Sequence, residues 1–152
     1  MATNPLPICE SIMQLPVSAI LLYAIAAAAF LIYAPFMVVG FARAKVGYDV
    51  SAPRAMFDKL PPYAQRATWA HQNSFETFMV FAAAALMAYV TGQNSTTAAV
   101  AAIAFVVARV FFSVFYILDV PILRSLMFGI GTLSTATLFV LSLLSVTASG
   151  TL

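Results

Sequence analysis

At 152 residues the chain has the length of one domain, yet 63% of it is hydrophobic and only 8% is charged, against about 25% charged in ordinary soluble domains. That excludes a soluble globular fold, because the uncharged runs Ser11–Ala42, Thr77–Ala108 and Ser125–Leu152 each exceed the ~20 residues that cross a hydrocarbon core. A net charge of +2, with its basic residues spread over loops and helix ends, gives no footing for nucleic acid, and the single cysteine, Cys9, excludes an intrachain disulfide or a cysteine metal cluster.

Residues 1 to 15 read as a polar, proline-punctuated lead-in with Pro5, Pro7 and Glu10 but no Lys or Arg. The basic start of a cleavable signal peptide is missing, so the first span is expected to remain in the mature protein. That span runs from Val17 to about Phe41 and contains Pro35. A proline there removes one backbone hydrogen bond and needs a neighbour or water to satisfy the freed carbonyl.

From Arg43 to Gln65 the composition changes to Arg43, Lys45, Asp49, Arg54, Asp58, Lys59 and the Pro61-Pro62 pair. Five of the seven basic residues lie between Arg43 and Arg66, so the positive-inside rule assigns this loop to the cytoplasm. The 119–121 loop is then expected on the same face, with both termini opposite.

The second span, about Tyr63 to Val90, opens with polar residues and closes with alanines that permit close helix contact. At helical spacing its positions 66, 69, 73, 76 and 80 form one stripe, which aligns Arg66, Trp69, Asn73 and Glu76. A charge at membrane depth costs roughly 2.5–3.5 kcal/mol even on lenient scales and calls for a partner or a wet cavity. His71 lies off this stripe, and one histidine without a second ligand gives no metal site.

Thr91-Gly-Gln-Asn-Ser-Thr-Thr is a turn, and the third span follows from about Ala98 to Leu118 with Arg109 in its middle. Antiparallel topology brings Glu76 and Arg109 to similar depth, and an ion pair between them is the expected arrangement. Such a pair can lock the bundle or serve a ligand. Phe112 and Tyr116 follow Arg109 at helical spacing on the same face. Asp119-Val-Pro121 ends this helix and starts the fourth span, about Ile122 to Val146, with Arg124 near its start and small residues from Gly129 to Thr137 as a contact face. The expected architecture is an all-α integral membrane bundle of four antiparallel helices in a single domain.

Arg43, Arg66, Asn73, Glu76, Arg109, Tyr116 and Arg124 together make a mainly cationic, hydrogen-bonding set at the ends of apolar helices. Such a set suits a small anion that also carries an amine: arginines for carboxylates, Glu76 for an ammonium, Asn73 for an amide. A lipophilic partner would reach it from the lipid.

Two motifs carry a family resemblance: Arg66…Ala70-His-Gln-Asn73-Ser-Phe-Glu76…Phe81, and Ala108-Arg109…Tyr116…Pro121…Arg124…Gly129. The chain resembles the membrane-associated proteins in eicosanoid and glutathione metabolism (MAPEG), which include microsomal glutathione transferases. The resemblance implies a homotrimer of four-helix subunits that binds glutathione as co-substrate at subunit interfaces near the cytoplasmic face. It implies glutathione-holding roles for Asn73, Glu76, Arg109 and Tyr116, and a thiolate-stabilising role for Arg124, with Arg66 and Arg43 as further binding positions. The reaction implied is attack of the thiol on a small lipophilic electrophile or reduction of a hydroperoxide, in a bacterial inner membrane or an equivalent internal membrane.

Three residues depart from the family pattern. Trp69 stands where several members carry a glutathione-contacting arginine, Phe112 where some carry a tyrosine, and Thr77 where the eicosanoid enzymes carry an aromatic. The alternative reading is a non-catalytic protein of the same fold that acts as an assembly partner or lipid-binding module.

Overall fold

The computed structural model describes residues 15–148 and Gly150. Residues 1–14, which include Cys9 and most of the expected lead-in, lie outside the described residues. The chain forms α1 (Val17–Val46), a 3-10 turn (Phe57–Lys59), α2 (Pro62–Val90), α3 (Thr96–Ile117) and α4 (Pro121–Ala148). All four α-helices are long and apolar enough to cross a membrane, and there is no strand among the described residues.

The helix ends follow from local chemistry. Helix α1 continues five residues past the expected end at Phe41, because helical hydrogen bonding persists after the apolar run stops. Its last turn carries Arg43 and Lys45, where cations complement the negative end of the helix dipole. Pro61 caps α2 in an extended conformation and Pro62 occupies its first position, where a missing N–H costs nothing. Ser95 caps α3, its hydroxyl accepting from the Ala98 N–H at 3.2 Å.

Each helix buries one stripe. In α1 the buried positions are Leu21, Ala24, Ala28, Ile32, Pro35, Val39 and Ala42, and in α2 they include Ala64, Ala67, Ala70, Ser74, Phe81, Ala84 and Ala88. Steps of three and four keep both sets on one face, and the alanines let the two backbones approach closely. Deeper in the bundle, Phe81 and Phe105 lie face to face with ring centroids 3.7 Å apart.

Contacts across the turns make the bundle antiparallel. At one end Arg66, in the second turn of α2, donates from Nε to the Ile117 carbonyl at the end of α3 (3.0 Å). At the other, Gln93 Nε2 donates to the Leu141 carbonyl of α4 (2.9 Å). Beside Pro35, His71 Nδ1 lies 2.7 Å from the carbonyl of Ile32, one residue beyond the Leu31 carbonyl that the proline leaves free. A carbonyl only accepts, so Nδ1 carries the proton.

Candidate functional site

Arg109 is only 4% exposed, although it lies in the middle of an apolar helix. Its Nη2 donates to Asn73 Oδ1 (3.1 Å) and to Ser74 Oγ (3.0 Å). Ser74 is held in place because its own hydroxyl donates to the Ala70 carbonyl at 2.8 Å. The expected Glu76–Arg109 ion pair is not formed: the salt bridge found among the described residues joins Arg66 to Asp119. Asn73 and Ser74, three and two residues before Glu76, meet the guanidinium first, so its charge is solvated by neutral oxygens.

Glu76 is nevertheless near. It lines a cavity of about 390 Å³ together with Asn73, Thr77 and Val80 of α2, Phe105 and Arg109 of α3, and Phe128, Thr132 and Thr135 of α4. That volume falls within the ~300–1,000 Å³ of small-molecule sites. Its walls are mainly apolar, with a cation, a carboxylate, an amide and hydroxyls placed among them. It is exposed toward the surface at Glu76 and Val80.

An aromatic chain leads from this cavity toward the α3–α4 turn. The Arg109 guanidinium lies 4.0 Å from the Phe112 ring centroid, and Phe112 meets Tyr116 edge-on at 5.4 Å and Phe128 at 6.2 Å. Tyr116 in turn lies under the Arg124 guanidinium at 4.6 Å. The arginine contacts have the geometry of cation–π pairs and the Phe112–Tyr116 contact that of an edge-to-face pair, while Phe112 and Phe128 are tilted at 44°. Phe112 thus links the two arginines, and its ring needs no hydroxyl to do so.

The predicted stripe on α2 splits. Asn73, Glu76 and Val80 share the cavity, whereas Arg66 reaches away to Ile117 and to Asp119, 3.4 Å from its carboxylate. Trp69 is 43% exposed and packs against Phe57 of the loop, ring centroids 5.7 Å apart. The bond angle of the helix fixes only where a side chain starts, and long side chains end elsewhere.

Arg43 belongs to a different place. It lines a second cavity of about 710 Å³ with Arg54, Tyr48, His71, Gln72 and Phe57, among others. This cavity touches α2 at Thr68, His71 and Gln72, a different side of the helix from Asn73, Glu76 and Thr77. Within one protomer Arg43 and Arg109 therefore do not share a cavity.

Sequence reasoning missed Ser74 and Phe128. Ser74 was findable, since it continues the buried steps of Ala67 and Ala70 and a hydroxyl on such a stripe needs a polar partner. Phe128 carried no such signal among the many phenylalanines.

Four spanning helices enclosing a buried guanidinium beside a ligand-sized cavity define a multi-pass integral membrane protein with a polar site in an apolar bundle. The family model described as MAPEG family matches residues 20–144, and the chain belongs to that family. Comparison with curated proteins and with solved structures returned no match.

Proposed function

We propose that this protein is a membrane glutathione transferase, with peroxidase-like chemistry as a related activity. Glutathione would occupy the cavity of Asn73, Glu76 and Arg109, with Tyr116 and Arg124 toward its thiol. The supporting observation is the state of the two charges. Arg109 is bonded to neutral groups and Glu76 lines the same cavity with no ion-pair partner among the described residues. A guanidinium and a carboxylate that do not neutralise each other suit a ligand with both a carboxylate and an ammonium.

Arg124 would stabilise the thiolate. Lowering a thiol pKa from ~8.5 to ~6.5 takes about 2.7 kcal/mol, and a unit charge at ~4 Å in an effective dielectric near 20 supplies about 4 kcal/mol. The thiolate sulfur forms a bond to an electrophilic carbon of a lipophilic substrate as that carbon's bond to a leaving group, or the π bond of an activated alkene, breaks. The displaced electron pair leaves with the leaving group or takes up a proton from solvent, and the thiol proton released on ionisation passes to solvent. This chemistry needs no cysteine of the chain. The reading includes a homotrimer, with the site on the cytoplasmic side and each cavity covered by a neighbouring subunit.

The test is thiolate absorbance on titrating glutathione into purified protein at neutral pH, with Arg124→Ala alongside. A saturable signal that disappears in the variant is expected. An equal signal in the variant removes Arg124 from the mechanism. No signal in either protein removes the glutathione reading and favours the non-catalytic alternative, which Trp69 supports by offering an indole where several members of the family offer a guanidinium.

A further inference from the structure

Arg109 and Arg124 are held in different ways. Arg109 is fixed by hydrogen bonds to Asn73 and Ser74 of α2. Arg124 has no such anchor: the carboxylate nearest to it in the chain, Asp119, is paired with Arg66 at 3.4 Å, and the contact its guanidinium makes among the described residues is with the ring of Tyr116, 4.6 Å from the centroid. An arginine on a long, flexible stem with that one tether keeps its place only as long as the ring keeps its own.

Phe112 fixes that ring. It is 3% exposed and meets Tyr116 at an interplanar angle of 70°. On its other sides lie the Arg109 guanidinium, 4.0 Å from its ring centroid, and the Phe128 ring of α4. The chain of contacts therefore starts at the Ala70 carbonyl, passes through Ser74 and Arg109 to Phe112, and ends at Arg124 on α4. Phe112 lines neither the cavity of Glu76 nor that of Arg43, so it acts through its neighbours. A phenylalanine that only packs has no need of a cation at each end of its contacts.

We propose that Phe112 is a positioning residue that carries the fixed place of Arg109 across to Arg124, holding the guanidinium assigned to the thiolate at a set distance from the one assigned to the carboxylate. The proposal rests on the glutathione reading above. Affinity and thiol ionisation then separate at this residue. Arg109 keeps its two hydrogen bonds without the ring, so binding stays, whereas Arg124 loses its place and the thiol becomes harder to ionise.

The test follows thiolate absorbance across pH at saturating glutathione, with the full chain in a neutral detergent. In Phe112→Leu the midpoint of thiolate formation should rise by about half a pH unit, about threefold less thiolate at any pH below it, the size of one cation–π contact at a partly exposed site. Phe112→Tyr keeps the ring and should keep the wild-type midpoint. S-methylglutathione, which has no thiol proton to lose, should bind Phe112→Leu and the wild type equally. In an Arg124→Ala background Phe112→Leu should move the midpoint no further, because the group it acts through is gone. Phe112→Met, which fills the volume without a ring, carries the same expectations if the leucine variant does not fold.

An unmoved midpoint in the ringless variants overturns the proposal, as does a shift that persists in the Arg124→Ala background or that Phe112→Tyr shares. Weaker S-methylglutathione binding with an unmoved midpoint leaves packing as the role of the ring and overturns it too. The two readings fail distinguishably: no thiolate in the wild type removes the glutathione reading and this proposal with it, whereas a wild-type thiolate that Phe112→Leu leaves unchanged removes the role of Phe112 alone.

Discussion

The turn after α2 and the turn after α3 close their helices with the same pair of backbone hydrogen bonds. In the first, Gln93 N–H reaches the Ala88 carbonyl and Gly92 N–H that of Tyr89; in the second, Val120 N–H reaches Phe115 and Asp119 N–H reaches Tyr116. This is the Schellman arrangement, which puts one residue in the left-handed region. Gly92 fills that place at φ 68° and Asp119 at φ 61°. Where geometry alone is required, the chain uses the residue that adopts it freely. Where Arg66 needs a carboxylate, it accepts an aspartate in a less favourable conformation.

The same contrast extends along the bundle. Toward the Gly92 end the interior is alanine and stacked phenylalanine, Phe81 on Phe105, with Ala84, Ala88, Ala98 and Ala102 fully buried. Toward the Asp119 end it holds Arg109, the Phe112–Tyr116–Arg124 chain, and both large cavities. One end supplies packing, and the other carries residues that cost stability and are useful only if something binds.

The largest expected effect breaks the polar end. Arg109→Gln keeps hydrogen-bonding capacity for Asn73 and Ser74 but removes the charge. Glutathione binding should fall about 10–100-fold, the ~1.5–3 kcal/mol of a hydrogen bond to a charged group. Equilibrium dialysis with labelled glutathione measures it, and circular dichroism should show the helices unchanged. Binding that survives this change would place the ligand elsewhere.

The opposite turn gives the next effect. A Cβ on Gly92 would meet nothing within 4 Å, so Gly92→Ala tests backbone conformation alone. It should destabilise the bundle by about 1–2 kcal/mol, read as a lower thermal midpoint in detergent, and leave glutathione affinity unchanged. A shift in affinity would contradict the division of labour between the two ends.

Asp119→Gly sharpens the same comparison with a smaller effect. Glycine relieves the left-handed conformation by up to ~1 kcal/mol while losing the Arg66 pair. With side chains 23% and 61% exposed, that pair is worth about 0.2–1 kcal/mol. The thermal midpoint should barely move. Asp119→Ala loses the pair without relieving the backbone and should lower it. If both variants fall equally, the ion pair outweighs the strain.

The four helices were legible because a bilayer demands runs of this length, and the alanine-rich end of α2 was legible as a close contact; the buried stripes themselves were not read. The membership of the cavity was half legible: helical spacing grouped Asn73, Glu76 and Val80 correctly and placed Arg109 opposite them. Spacing could not say that Arg109 would stop at Asn73 and Ser74 before reaching Glu76. A guanidinium on a flexible stem takes the first oxygens it meets, and which those are depends on helix rotation. Trp69 and Arg66 left the stripe for the same reason, one drawn to Phe57 of the loop and the other to the exposed carbonyl and carboxylate at the end of α3. The second cavity was invisible because part of its wall comes from a loop whose path, held by the Asp49 N–H on Met56 Sδ at 3.2 Å, has no periodicity to read.

That loop gives the smallest effect, and one that acts on the second cavity alone. Hydrogen bonds from Ser51, first its hydroxyl and then its N–H, hold the Asp49 carboxyl below the ordinary carboxylate range. A depressed native pKa means that the carboxylate supports the folded loop at any pH above the unfolded value, ~3.9. That support is lost as pH falls through the lower native value. Between pH 7 and pH 5 the loop should therefore be insensitive to acid, and below about pH 4 the Ser51 amide should lose protection relative to its intrinsic exchange rate. Hydrogen exchange followed at Ser51 and at Gly92 separates the two regions: acid should release the first and leave the second, whose hydrogen bonds involve no titrating group. An equal loss of protection at both would mean that acid loosens the whole bundle, and Asp49 would then have no separate part in shaping the cavity of Arg43 and Arg54.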